Sequence, residues 1–275
     1  MTRVVEQLAN ALRRPFTRGT PWYRDLCDYY GVTPEQALAL GTRQTGRRPD
    51  LPGSATTHPV SGQTFEGIWS SRLRETPADI HRFYQEIGAW AAFRQVVFHR
   101  DHRFAVIAKT IKPGDRVCEY GAGVAPVGSW LIERRRGCPF ALTLIDVPSE
   151  HLTFGRWRLA RRITELHAPV TLEVSPVLPD RLPLVGTYDV ITILEVYEHL
   201  HNPLEVTRHL CEHLRSGGLL WENYLIPPDA DGANLAAAQQ ERPAVFRYLR
   251  QQCALVLGED PDVNGGATRC WRRMS

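Results

Sequence analysis

The chain has 275 residues, 43% of them hydrophobic, and a formal net charge of +3. That length can bury a sizeable core, as one large domain or one domain with an appendage. No apolar run approaches the ~20 residues of a membrane helix, residues 1–15 carry Arg3, Glu6, Arg13 and Arg14 in place of a secretory core, and +3 is too weak a charge to mark a nucleic-acid partner.

Residues 1–110 read as a helical region. Val4, Leu8 and Leu12 fall on one helix face, and Trp22–Tyr30 forms an aromatic helix. Thr33-Pro34-Glu35 starts another, with Thr as N-cap and Pro first, and Gly41 ends it. Residues 42–62, rich in Gly, Pro, Thr and Ser, read as a long loop, a common form for a lid or binding element. Thr76-Pro77 opens a helical stretch through Ile80, Phe83, Tyr84, Ile87 and Trp90, then Phe93, Val97 and Phe104 towards Lys109, with a break near His99. Trp22, Tyr23, Tyr29, Tyr30, Trp69, Phe83, Tyr84 and Trp90 are the aromatics available to line a pocket or pack a core.

Residues 111–275 alternate strand and helix. Strands are expected over 116–120, 140–146, 170–174, 188–194, 219–224 and 268–273. Helices are expected over 124–136, 148–167, from Asn202-Pro203 to Leu214, and from 234 to 257. The run Arg134–Arg136 falls at an expected helix end, where cations suit the dipole. Repeated β-α units with short connections imply an α/β fold with a doubly wound, mainly parallel sheet. Six scattered cysteines without a C-x-x-C spacing speak against zinc or redox motifs, so no metal is expected, and they suit a reducing cytoplasm.

The richest segment is Asp115-Arg-Val-Cys-Glu-Tyr-Gly-Ala-Gly-Val-Ala-Pro-Val-Gly128. It reads as a buried strand with a carboxylate, Glu119, near its end, then a glycine turn at Gly121 and Gly123, then a helix start. A dinucleotide pocket wants the helix N-terminus free for pyrophosphate; a carboxylate there suits a cationic group. Asp146 ends the second strand, 25 positions after Gly121, where a carboxylate can accept from ribose hydroxyls. Farther on stand Leu194-Glu-Val-Tyr-Glu-His199 and Leu214-Arg-Ser-Gly-Gly-Leu-Leu220.

These three ordered segments resemble the motifs of the class I S-adenosyl-L-methionine (SAM) dependent methyltransferases of small-molecule type, over about residues 110–225. The resemblance implies a Rossmann-like domain over 111–275, an N-terminal cap and substrate region over 1–110, SAM as cofactor and a small-molecule acceptor. It implies that Glu119 holds the methionyl amino end directly or through water, and that Gly121, Ala122 and Gly123 give main-chain contact. Asp146 would bind the ribose and Val147 would touch adenine. Ser175 stands where the family often has an acid, and Glu195 lies near the methyl-bearing end. His199, Glu198, Tyr197 and His201 are the nearest titratable groups for an acceptor's proton, with histidine best suited near neutral pH; His199 and Glu198 also have structural readings as loop-positioning groups. Only one strand of the family's closing antiparallel pair is evident. An NAD-type oxidoreductase is disfavoured by Glu119, Ala125 and Pro126, a SAM-binding regulator without turnover is the alternative of another class, and the Asn/Asp-Pro-Pro-aromatic motif of nucleic-acid methyltransferases is missing.

Overall fold

Strand β1 (Arg116–Tyr120) lies inside a seven-stranded sheet, third in the order β3-β2-β1-β4-β5-β7-β6. The computed structural model describes residues 21–34, 36, 68–69, 71–87, 92, 95, 102–224, 234–262 and 267–275. The expected helix at 4–12, the end of a helix at Gly41, the loop 42–62, Phe93, Val97 and the side chains of Trp22, Tyr23 and Trp90 lie outside the described residues. Strands β1, β2 (Phe140–Asp146), β3 (Val170–Pro176), β4 (Tyr188–Leu194) and β5 (Leu214–Asn223) run parallel. Among the described strands the direction reverses at the edge, where β7 (Arg269–Arg273) pairs antiparallel with β5 and with β6 (Cys253–Leu257).

Alternation along the strands separates two cores. Val117, Leu142, Leu144, Val190 and Trp221 face α3 (His102–Thr110), α4 (Pro126–Arg134) and α5 (Glu150–Leu166). Tyr120, Ile145, Ile191, Ile193 and Tyr224 face α6 (Pro203–Glu212) and α7 (Ala236–Gln252). Both faces are covered, so β4 carries an almost continuous apolar run. Two further helices lie in the N-terminal region: α1 (Pro21–Tyr30) and α2 (Pro77–Ile87). Thr33 and Gln36 exchange N–H···O bonds of 2.7 and 3.1 Å, and Thr76 with Asp79 does the same at the head of α2. Thr33 is thus the N-cap that the sequence signals, within a capping box, and Thr76 makes the same exchange with an Asp in place of Glu or Gln.

Three expectations are corrected. The helix expected over 234–257 ends at Gln252, and Cys253–Leu257 is the missing partner of the closing strand pair. A short apolar run cannot distinguish strand from helix by its own pattern; here the unpaired edge of β7 decides. Strand β5 begins at Leu214, before the glycine pair, because Tyr188 pairs with Leu214 and Val190 with Leu219, leaving Gly217 in a bulge at φ 75°. The helix after β1 starts at Pro126, two residues late, because Ala125 is left-handed (φ 52°, ψ 59°).

The closing pair carries a fully buried ion pair. Arg269 Nε lies 2.7 Å from Glu222 Oε1, both side chains are 0% exposed, and Trp271 Nε1 donates to the same oxygen at 3.0 Å. Removing one partner strands the other charge in the core. Arg269→Met should therefore lower unfolding stability in urea by about 3–5 kcal/mol, and adding Glu222→Leu should restore most of it; an unchanged urea midpoint for the single variant would refute the assignment.

Candidate active site

The site is built where β1 ends. Gly121 and Ala122 donate their N–H groups to Ile145 O at 2.7 and 3.0 Å, which folds the loop back onto β2. Gly121 (φ 70°) has no room for a side chain, since a Cβ would stand 2.1 Å from Val196 Cγ2. Gly123 (φ 50°) faces Gln95, whose Oε1 would be 2.7 Å from a Cβ there. Gly155 of α5 lets that helix approach the loop backbone: its absent Cβ would meet Gly123 O at 2.9 Å and Val124 C at 3.1 Å.

Glu119 is buried beneath this loop. Its two oxygens accept from Val127 N (2.9 Å) and Gly128 N (2.7 Å), the first free amides of α4. Ala125 offers no capping side chain, so a strand residue satisfies orphan donors and faces the positive helix end. Burial raises the Glu119 carboxyl to about 7, against the lowering effect of those two amide bonds and of Arg158. Asp146, half-buried at the tip of β2, accepts from Gly123 N across the loop and from Val147 N at 2.6 Å. Burial raises it to about 6, with the two amides opposing. Two carboxyls that ionise with difficulty thus flank one glycine turn.

The tip of β4 is the second wall. Glu195 adopts φ 57°, rare for a residue with a side chain. It is locked by Asn223 at the tip of β5, which accepts its N–H at 2.7 Å and donates to its Oε1, and by Arg103 of α3 at 3.0 Å. Tyr197 is fully buried, stacks on Tyr224 at 4.9 Å and accepts from Thr207 Oγ1; its place is in the core, away from the cleft. Glu198 is 2% exposed, with Oε2 unpartnered, and burial raises its carboxyl to about 8. His199 packs against Trp69 in a T-shaped arrangement, with ring centroids 5.3 Å apart. His201 follows; burial lowers its ring from the usual range. Ser175 Oγ donates to Pro183 O at 3.4 Å, and so is spent on its own loop.

The N-terminal residues reach over this edge. Trp69 packs on Phe83 at 4.7 Å and on Tyr84 at 6.2 Å, and Tyr84 meets His151 at 6.2 Å. The aromatic group therefore spans from His199 after β4 to His151 after β2. Helix α1 docks on α5 through Asp25 with Arg162 (2.6 Å), Asp28 with Arg161, and Tyr30 with Glu150 (3.2 Å). Sequence reasoning missed Gln95, Val196, Gly155 and Arg158. Gly155 lies within the buried stripe of α5 that also holds Leu152, Leu159 and Arg162, where a glycine marks a close approach of backbones.

Against this geometry the family comparison is decisive: a family model described as methyltransferase domain matches residues 90–252, more than half of the chain. The chain belongs to that family. It is a SAM-dependent methyltransferase with the seven-stranded Rossmann-like sheet of class I. No curated protein matches it. Among solved structures it is similar to an O-methyltransferase family protein from Burkholderia thailandensis, with 12% identity, 100% of this chain and 95% of that one covered, and a TM-score of 0.47. It is also similar to the N-methyltransferase NodS from Bradyrhizobium japonicum WM9 in complex with S-adenosyl-L-homocysteine (14%, 65% and 86%, TM-score 0.43). A methyltransferase from Pyrococcus furiosus gives 16%, 63% and 82%, and 0.42. Among the described residues of this methyltransferase no helix is long and apolar enough to cross a membrane. All six cysteines are buried and none is in a disulfide.

Proposed function

We propose that the enzyme holds SAM in the cleft at the tips of β1, β2 and β4 and methylates a small-molecule acceptor there. The observation that carries the cofactor reading is the pair of Glu119 bonds to Val127 N and Gly128 N. They take up the helix amides that a pyrophosphate would need, and leave a pocket whose charge is acidic. The chain's own residues fit a cationic nucleoside. Asp146 would exchange its Gly123 amide for ribose hydroxyls, and Val147 would lie along the base. The Cβ-free turn at Gly121 and Gly123 would admit the methionyl chain, and Glu119 would act through the loop it braces. The cofactor supplies an activated methyl group on its sulfonium.

Residues 1–110 are assigned to the acceptor cover and 111–275 to the cofactor domain. The Trp69, Phe83 and Tyr84 packing across to His151 and His199 supports a small acceptor, since that edge is roofed by side chains. His199 borders this aromatic group, and Glu198 keeps an unpartnered oxygen; these two, not Tyr197, are the proposed proton acceptors for an acceptor that must lose one. A cytoplasmic setting is proposed with them. Calorimetry is expected to give saturable binding of SAM and S-adenosylhomocysteine and none of NAD. Methyl-labelled SAM with a cell extract is expected to label the low-molecular-mass fraction. Binding of NAD without either adenosyl ligand would reverse the cofactor reading, and label confined to RNA or protein would reverse the acceptor reading.

A further inference from the structure

Helix α5 passes directly under the glycine loop and meets it through Gly155 and through a buried arginine, Arg158. Arg158 is 0% exposed. Its guanidinium donates to Ala125 O at 3.0 Å, the carbonyl of the left-handed residue between the loop and α4. One turn earlier, Gly155 brings the helix backbone against Gly123, Val124 and Ala125. A buried guanidinium is costly unless carboxylates face it, and three do: Glu119 from β1, Glu133 from α4 and Asp25 from α1, with Arg162 as the neighbouring cation. Facing Glu119 in turn are Arg158, the Val127 and Gly128 amides, and Asp146. Asp25 itself is 1% exposed and bonded to Arg162 at 2.6 Å.

We infer that Arg158 is a positioning residue for cofactor binding: it pins the Ala125 turn and supplies the positive charge opposite Glu119, a charge it shares with Asp25 of the N-terminal cap. The inference rests on the SAM reading above. Because the guanidinium fork both bonds and carries charge, its two contributions separate by substitution. Lysine retains the charge and loses the planar fork. Methionine loses both. Asparagine at position 25 removes the acid that competes with Glu119 for the same cation.

The test is S-adenosylhomocysteine affinity, by calorimetry, from pH 5.5 to 8.5. Wild type must bind; if it does not, the cofactor reading fails and not this inference. Arg158→Met should weaken binding at pH 7 by roughly tenfold or more and move the midpoint of the pH dependence upward, since Glu119 has lost its cation. Arg158→Lys should weaken binding with the midpoint close to wild type. Asp25→Asn should move the midpoint downward, and it tests the charge link even where Arg158→Met fails to fold. A wild-type midpoint and affinity in Arg158→Met or Arg158→Lys, with only a lower melting temperature, would show a purely structural arginine and overturn the inference. So would an unmoved midpoint in Asp25→Asn.

Discussion

Gly121→Ala is expected to remove cofactor binding almost completely, with S-adenosylhomocysteine affinity falling on the order of 100-fold. Two costs add at this position. The backbone sits at φ 70°, where an alanine is strained by roughly 1–2 kcal/mol. The new Cβ would also stand 2.1 Å from Val196 Cγ2, an overlap that cannot persist. Overpacking of this kind costs about 1–3 kcal/mol. The loop would relieve both by giving up the Gly121 and Ala122 bonds to Ile145 O, and with them the shape that admits a ligand. The double variant Gly121→Ala, Val196→Ala separates the terms. It removes the overlap and keeps the backbone strain, so it should recover part of the affinity. Calorimetric titration of all three proteins is the check; tight binding by Gly121→Ala would show that the turn is not part of the cofactor site.

Glu119 shows how far the sequence could be read and where it stopped. Its place at the end of a strand, the glycine turn after it and the strand bounds of β1, β2 and β4 were all legible, because alternation and apolar runs fix strands that are covered on both faces. That its oxygens would be occupied by α4 amides was not legible. A cap supplied from another element leaves no local signature, and the missing N-cap at Ala125 was read as two more helical residues. The same limit hid Val196, Gln95 and Arg158, which meet the loop only through tertiary contact. Tyr197 fell on the wrong side of the same limit. One position before Glu198 in a polar-looking motif, it points into the apolar layer between β4 and α6. The strand β6 was lost for a related reason: its partner β7 defines it, and Cys253–Leu257 alone suits a helix end.

Cofactor affinity should rise with pH between about 5.5 and 7.5, and binding should release protons. Burial lifts Glu119 from 4.5 to about 7 and Asp146 from 3.8 to about 6. Raised carboxyls bind more protons in the folded chain than in the unfolded one. Their contribution to stability is therefore complete below about pH 4 and is lost as pH rises through 6 and 7, so the ligand-free protein weakens in that window. A ligand with an ammonium and a sulfonium favours the ionised forms. It must displace the protons below those values, and each carboxyl can change the affinity by at most about tenfold per pH unit. SAM should thus bind on the order of tenfold more weakly at pH 6 than at pH 7.5. Above about pH 8 the rise should stop, because an α-amino group then loses its own charge. Titration at pH 6.5 in two buffers of different ionisation enthalpy should report net proton release, and the melting shift at a fixed SAM concentration should be larger at pH 7.5 than at pH 6. Glu119→Gln should flatten the upper part of this dependence and Asp146→Asn the lower part, both with weaker binding. A Kd that stays level from pH 5.5 to 7.5 in the wild type would mean that neither carboxyl meets the cofactor's charge.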